Sequence, residues 1–228
     1  MKDRQMDIEY FLKNRTKFIG YFYEHATSPF SSIMECIENE KEPYIPPYTE
    51  DPEPPFLEEW LEAKAGVETV GHAALSMLSS SLQLFLKAWV ARLEQVHRME
   101  FSVNFKENGW FNGYRQIFTQ LEFLMLTDCP ANLEIIEQIA LARNRVQHPE
   151  ELTSLNIHHS KNDLEKYPQP FFAQESELKL SGEDDEENIS WWLPVSIAST
   201  KEKVTEAIEQ VEALCSWLES EYWKARNA

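Results

Sequence analysis

Arg143 and His148 stand five positions apart at the end of an apolar, helix-patterned segment, and the polar Asn144 directly follows the arginine. Side chains of these types suit work on a phosphodiester. A guanidinium carries fixed charge and offers a two-pronged donor to phosphate oxygens. An imidazole exchanges a proton near neutral pH, so it can act as acid or base.

The bare spacing is loose. Arg92 and His97 match it too, but within one long helix that pair falls on different faces, and Leu93 follows the arginine. Requiring asparagine after the arginine sharpens the pattern. With eight arginines, eleven asparagines and six histidines, about one chain in a hundred of this composition matches by chance. The competing reading of Arg143 and His148 is a helix C-terminus, where basic residues are favoured by the dipole.

From Leu141 to Pro149 the chain reads Leu-Ala-Arg-Asn-Arg-Val-Gln-His-Pro, which resembles the Arg-Asn-x-x-x-His signature of the HEPN superfamily. The resemblance implies an all-α, up-and-down helical bundle in which the signature closes one helix. Residues 67–93 and 200–225 suit other helices of such a bundle. The resemblance also implies a metal-independent endoribonuclease without a cofactor, working as a homodimer whose two motifs line one cleft. Arg143 would then hold the scissile phosphate, and His148 would move the proton of the 2′-hydroxyl or of the leaving oxygen. Asn144 would orient the histidine or accept a backbone turn, and the product would carry a 2′,3′-cyclic phosphate. Many members are toxins of toxin–antitoxin or phage-defence systems, so RNA and an antitoxin or other protein are the expected partners. Where many members continue His-Gly-Tyr, this chain has His148-Pro149-Glu150, and the matching tyrosine is absent. A noncatalytic module that binds a nucleotide or a protein is the alternative, and a structural helical protein with a coincidental motif is the third.

Charge bears on the choice. The net charge of -18 opposes tight nonspecific binding to nucleic acid, which rests on lysine and arginine. The acid is unevenly placed, however. Residues 85–148 hold seven basic and seven acidic side chains, so the excess lies elsewhere, in residues 38–62 and in Glu183-Asp184-Asp185-Glu186-Glu187. A neutral centre with acidic margins admits RNA and also suits a basic partner protein.

Three scattered cysteines, Cys36, Cys129 and Cys215, form no pair motif and predict free thiols in a reducing cytoplasm. The first residues lack a signal peptide's apolar core, and no uninterrupted apolar run reaches membrane-spanning length. The expectation is a soluble cytoplasmic protein without a membrane partner. His158-His159 has no third ligand at useful spacing, so no metal is expected.

The elements that must position the motif can be traced from the pattern. Ile8, Phe11, Leu12, Phe18, Ile19 and Phe22 predict a helix with one apolar face, and Pro29 predicts the start of a second, shorter one. Residues 1–42 thus read as an N-terminal helical pair appended to the bundle, and 43–55 as a proline-rich acidic connector. Residues 56–228 read as the bundle. Leu75, Leu78, Leu82, Phe85, Leu86, Trp89 and Leu93 form a core stripe, with Gly66 and Gly71 allowing a kink or a close approach. Serines 76, 79, 80 and 81 thin the opposite face. Asn132 is placed to cap the motif helix, whose buried stripe is Ile135, Ile139, Ala142 and Val146. Within an irregular insertion at about 150–198, Leu178, Leu180, Ile189, Trp191, Leu193 and Val195 suggest a small β-hairpin around the acidic tip. Ser199 and Glu202 occupy capping-box positions for the last helix.

Overall fold

The computed structural model describes residues 7–48, 52–98, 100–103, 105, 109–148, 157–181 and 195–227, without the side chains of 97, 180 and 181. The Asp7 carboxylate accepts the Tyr10 N–H at 2.9 Å and starts α1, Ile8–Glu38. A single 31-residue helix therefore replaces the expected pair, and it passes straight through Pro29. A proline inside a helix costs about 3 kcal/mol, so contacts on its far side must hold the helix together. Phe30 lies so close to Gly66 that a Cβ there would sit 2.6 Å from its ring, and Glu38 accepts the Trp60 indole N–H at 2.9 Å.

Nor is α1 set apart from the bundle. Ile8, Leu12, Ile19 and Tyr23 are buried in the same apolar core as the other long helices. Four such side chains contribute about 1.5–3 kcal/mol each, enough to make α1 integral to the core. Ile8, Leu12 and Ile19 of the expected face are buried, whereas Phe11 and Phe18 of that face are 53% and 56% exposed. The buried line instead runs through Thr16, whose hydroxyl bonds to the Leu12 carbonyl and to Glu212. The described residues of the proline-rich connector carry neither helix nor strand.

Helix α2, Leu57–His97, is the central element, packed against α1, α4 and α7. All seven residues of its expected stripe are buried. Residues 57–96 are long and apolar enough to cross a bilayer, but 56% of their most apolar window is buried inside the protein. At Gly71 a Cβ would lie 2.0 Å from Ser199 Oγ and 2.8 Å from the Ser199 carbonyl. The close approach is therefore made by the chain entering the last helix. The glycines introduce no break in α2.

The remaining helices are α3, Trp110–Thr119; α4, Leu133–Gln147; α5, Lys161–Lys166; α6, Glu175–Ser181; and α7, Lys201–Asn227. Helices α1, α2, α4 and α7 share the core, with α3 against α4. The fold is an all-α bundle. The proposed first strand of the hairpin is corrected: Leu178 and Leu180 lie in α6, whose glutamate, leucine and lysine residues favour helix and which holds no β-branched side chain. Residues 182–194, with the acidic tip and Trp191-Trp192, lie outside the described residues. Among those described, the only β pairing is an isolated bridge between His158 and Ser196. The last helix is capped by Thr200, whose hydroxyl accepts the Lys203 N–H at 3.4 Å, while Ser199 is pressed against Gly71.

Two buried rings tie the irregular segment to the bundle. His72 Nε2 donates to the Ile197 carbonyl at 2.9 Å, and His159 Nε2 to the Phe172 carbonyl at 2.8 Å. Burial pushes both pKa values below the ordinary 6.5, against the pull of those carbonyls, of Glu68 near His72, and of Asp163 and Glu177 near His159; Arg145 reinforces burial at His159. The unfolded chain therefore takes up more protons than the folded one once pH falls below that value. The stability these rings confer is complete above it and is lost on acidification. Urea midpoints should fall between about pH 7.5 and about pH 5.5, above the range where the carboxylates titrate. A flat midpoint across that interval would contradict the assignment.

Candidate functional site

The motif helix is fixed at its start, its middle and its end. At the start, the Asn132 side chain accepts the Glu134 and Ile135 N–H groups at 3.0 and 3.3 Å. Asn132's own N–H donates to Gln210 of α7 at 2.7 Å. Ile135, Ile139 and Ala142 are buried as expected, and Val146 is half-buried.

The middle is held by two residues whose part the sequence did not reveal. Glu137 and Gln138 are 5% and 7% exposed. Glu137 accepts from Tyr167 Oη and Asn112 Nδ2 at 2.8 Å each and from Lys166, and Arg115 lies 3.7 Å away. Burial works to raise the Glu137 pKa, but hydrogen bonds from Lys166, Asn112 and Tyr167 outweigh it and hold the carboxylate below its usual range. Burial and the same carboxylate push the Tyr167 phenol far up. Gln138 accepts the Phe171 N–H at 2.7 Å. The one available signal was two polar side chains between Ile136 and Ile139, where a core helix should be apolar.

At the end, Arg145 Nε donates to Asp163 Oδ2 at 3.0 Å, and Asp163 completes a capping box with Ser160 at the start of α5. Arg145 is thus committed to structure. So is Arg92 of the rival match: both its terminal nitrogens bond to Glu219 of α7.

Arg143 differs from both. It is half-buried, its Nη1 donates to Asn144 Oδ1 at 3.1 Å, and no carboxylate pairs with it among the described residues. Asn144 therefore meets the arginine with its side chain, where the resemblance implied that it would orient the histidine or accept a backbone turn. It meets His148 only through the backbone, its carbonyl accepting the His148 N–H at 3.0 Å.

His148 caps the helix with φ -130° and ψ 66°. The following proline disfavours helical backbone there. Had the helix continued, His148 would project roughly 140° around the axis from Arg143; leaving the helix lifts that constraint. Its side chain is exposed, and no hydrogen bond joins it to the Arg143 guanidinium.

The pair His158-His159 does not form a ligand set. The His159 ring is committed to the Phe172 carbonyl, and His158 Nδ1 lies 3.5 Å from Ser196 Oγ. Among the described residues no group of three histidine, cysteine or acidic side chains could hold a metal ion.

No family model, curated protein or solved structure matches this chain.

Proposed function

We propose that this chain is a metal-independent endoribonuclease of HEPN type, acting as a cytoplasmic homodimer, in a toxin–antitoxin or phage-defence setting. The observation that carries the reading is Arg143. Arg92 and Arg145 are neutralised by buried carboxylates, whereas the arginine of the motif is steadied by a neutral amide and keeps its charge for a ligand. A preorganised guanidinium beside a developing phosphorane charge lowers the barrier without reorganisation at the moment of reaction.

In the proposed step, His148 removes the proton of a ribose 2′-hydroxyl. That oxygen attacks the adjacent phosphorus, the bond to the 5′-oxygen breaks, and a protonated imidazole returns a proton to the leaving oxygen. The products are a 2′,3′-cyclic phosphate and a free 5′-hydroxyl. One imidazole does either task well, and two do both in a single pass. A twofold dimer supplies the second from identical sequence. The acidic margins of the chain suit a basic protein partner, such as an antitoxin.

The test is direct. Wild-type chain should cut unstructured RNA in EDTA, leaving cyclic phosphate ends, and Arg143→Ala should cut about 10²–10³-fold more slowly. RNA left intact by wild type, or cut equally by the variant, would sink the proposal. Light scattering at micromolar concentration should report a dimer, and a strict monomer would remove the second imidazole.

A further inference from the structure

A cavity of about 630 Å³ opens between α1 and α2 and reaches the end of α4. It continues into a second of about 150 Å³, the two sharing Phe11, Arg15 and Ser81 in their walls. The combined space falls within the roughly 300–1,000 Å³ of small-ligand sites.

Its lining is unusual for so acidic a chain. Among the described residues no carboxylate lines either cavity, although the protein carries 39 acidic residues. Arg15 stands in both walls, exposed and with no ion-pair partner among the described residues. Phe11 and Phe18 flank it one turn away on either side, each more than half exposed. Exposed aromatics with a cation between them are what a single-stranded nucleic acid needs: rings for bases and charge for phosphate.

Polar groups complete the cavity. Asn14 and Gln147 bring carboxamides, which donate and accept at base edges. The Ser76 hydroxyl oxygen is buried in the wall and has no hydrogen-bond partner. Gln147 belongs to the motif helix, directly before His148 and one turn beyond Arg143.

We infer that this cavity is a nucleotide pocket, which receives one base of a single-stranded RNA against Phe11 and Phe18 with Arg15 on its phosphate. From the proposed function it takes the identity of the strand as RNA and the strand's path past the end of α4. Binding in the pocket itself needs neither Arg143 nor His148 as a catalyst.

The probes are fluorescein-labelled 2′-O-methyl oligonucleotides, twelve uridines or twelve adenosines long, followed by anisotropy at low salt. The methyl group blocks attack by the 2′-oxygen, so wild-type chain can be used and binding is read apart from cleavage. Phe11→Ala and Phe18→Ala should each weaken binding about tenfold. Arg15→Ala should weaken it similarly and lower the slope of log affinity against log salt by about 0.7. All three positions are exposed, so melting temperatures should hold. Absent binding by wild type, or binding indifferent to the three substitutions, overturns the pocket even if RNA is still cut. Binding that depends on them while RNA stays intact supports the pocket and rejects the nuclease. A dimer that Phe18→Glu converts to monomer, with oligonucleotide affinity unchanged, makes the groove a self-association surface and overturns the nucleotide assignment.

Discussion

Alanine in place of His148 is expected to slow RNA cleavage by about 10²–10⁴-fold and to leave the unfolding midpoint unchanged. The two halves of that expectation have separate causes. The ring is exposed and makes no described side-chain hydrogen bond, so its loss should move stability by no more than about 0.5 kcal/mol. Its removal deletes the one imidazole at the terminus. Both copies disappear from a dimer, so attack and leaving-group protonation fall together. Asn144→Ala should act through Arg143 by releasing its guanidinium, with a smaller rate loss than either charged partner produces. Asn144→Asp should be worse than alanine, because the new carboxylate would neutralise Arg143 much as Asp163 neutralises Arg145. Full cleavage by His148→Ala, or a rate loss accompanied by a collapsed melting transition, would remove the catalytic role.

The helical class, the core stripe of α2, the cap at Asn132 and the end of the motif helix were all legible in the sequence, because each rests on local rules. Apolar period, an oxygen-bearing cap and a following proline act within a turn or two. What stayed hidden depends on distant partners. Pro29 signals a helix start when read alone. Only the contacts of Phe30 with Gly66 and of Glu38 with Trp60 explain an unbroken α1. The face of α1 was legible through Ile8, Leu12 and Ile19 but not at its edges, because Thr16 in the buried line is polar while Phe11 and Phe18 beside it are apolar and exposed. At the site, residue types and the helix end were readable. The commitment of Arg145 to Asp163, 18 residues away, and the lack of a carboxylate partner for Arg143 among the described residues were not. Two arginines separated by one residue look alike until their partners are known.

Removing the Glu219 carboxylate with Glu219→Ala is expected to cost about 3–5 kcal/mol. Arg92 and Glu219 have side chains only 11% and 8% exposed, and they meet through two parallel hydrogen bonds between α2 and α7. The guanidinium carbon also lies 4.0 Å from the centre of the Tyr222 ring, and Arg92 Nε is buried without a partner. Alanine at 219 leaves that cation in apolar surroundings with only an aromatic face to offset its lost hydration, which is worth about 2 kcal/mol at most sites of this kind. Desolvation therefore wins, and the bundle loosens where α2 and α7 meet. Replacing both residues, as Arg92→Met with Glu219→Leu, should recover most of the loss, because no charge then remains to be buried. Denaturant unfolding of the two single variants and the double variant forms a thermodynamic cycle, and a coupling near zero would show that the pair carries no stability. Cleavage per folded molecule should stay at the wild-type rate in the double variant, separating the arginine that builds the bundle from the arginine proposed to meet the phosphate.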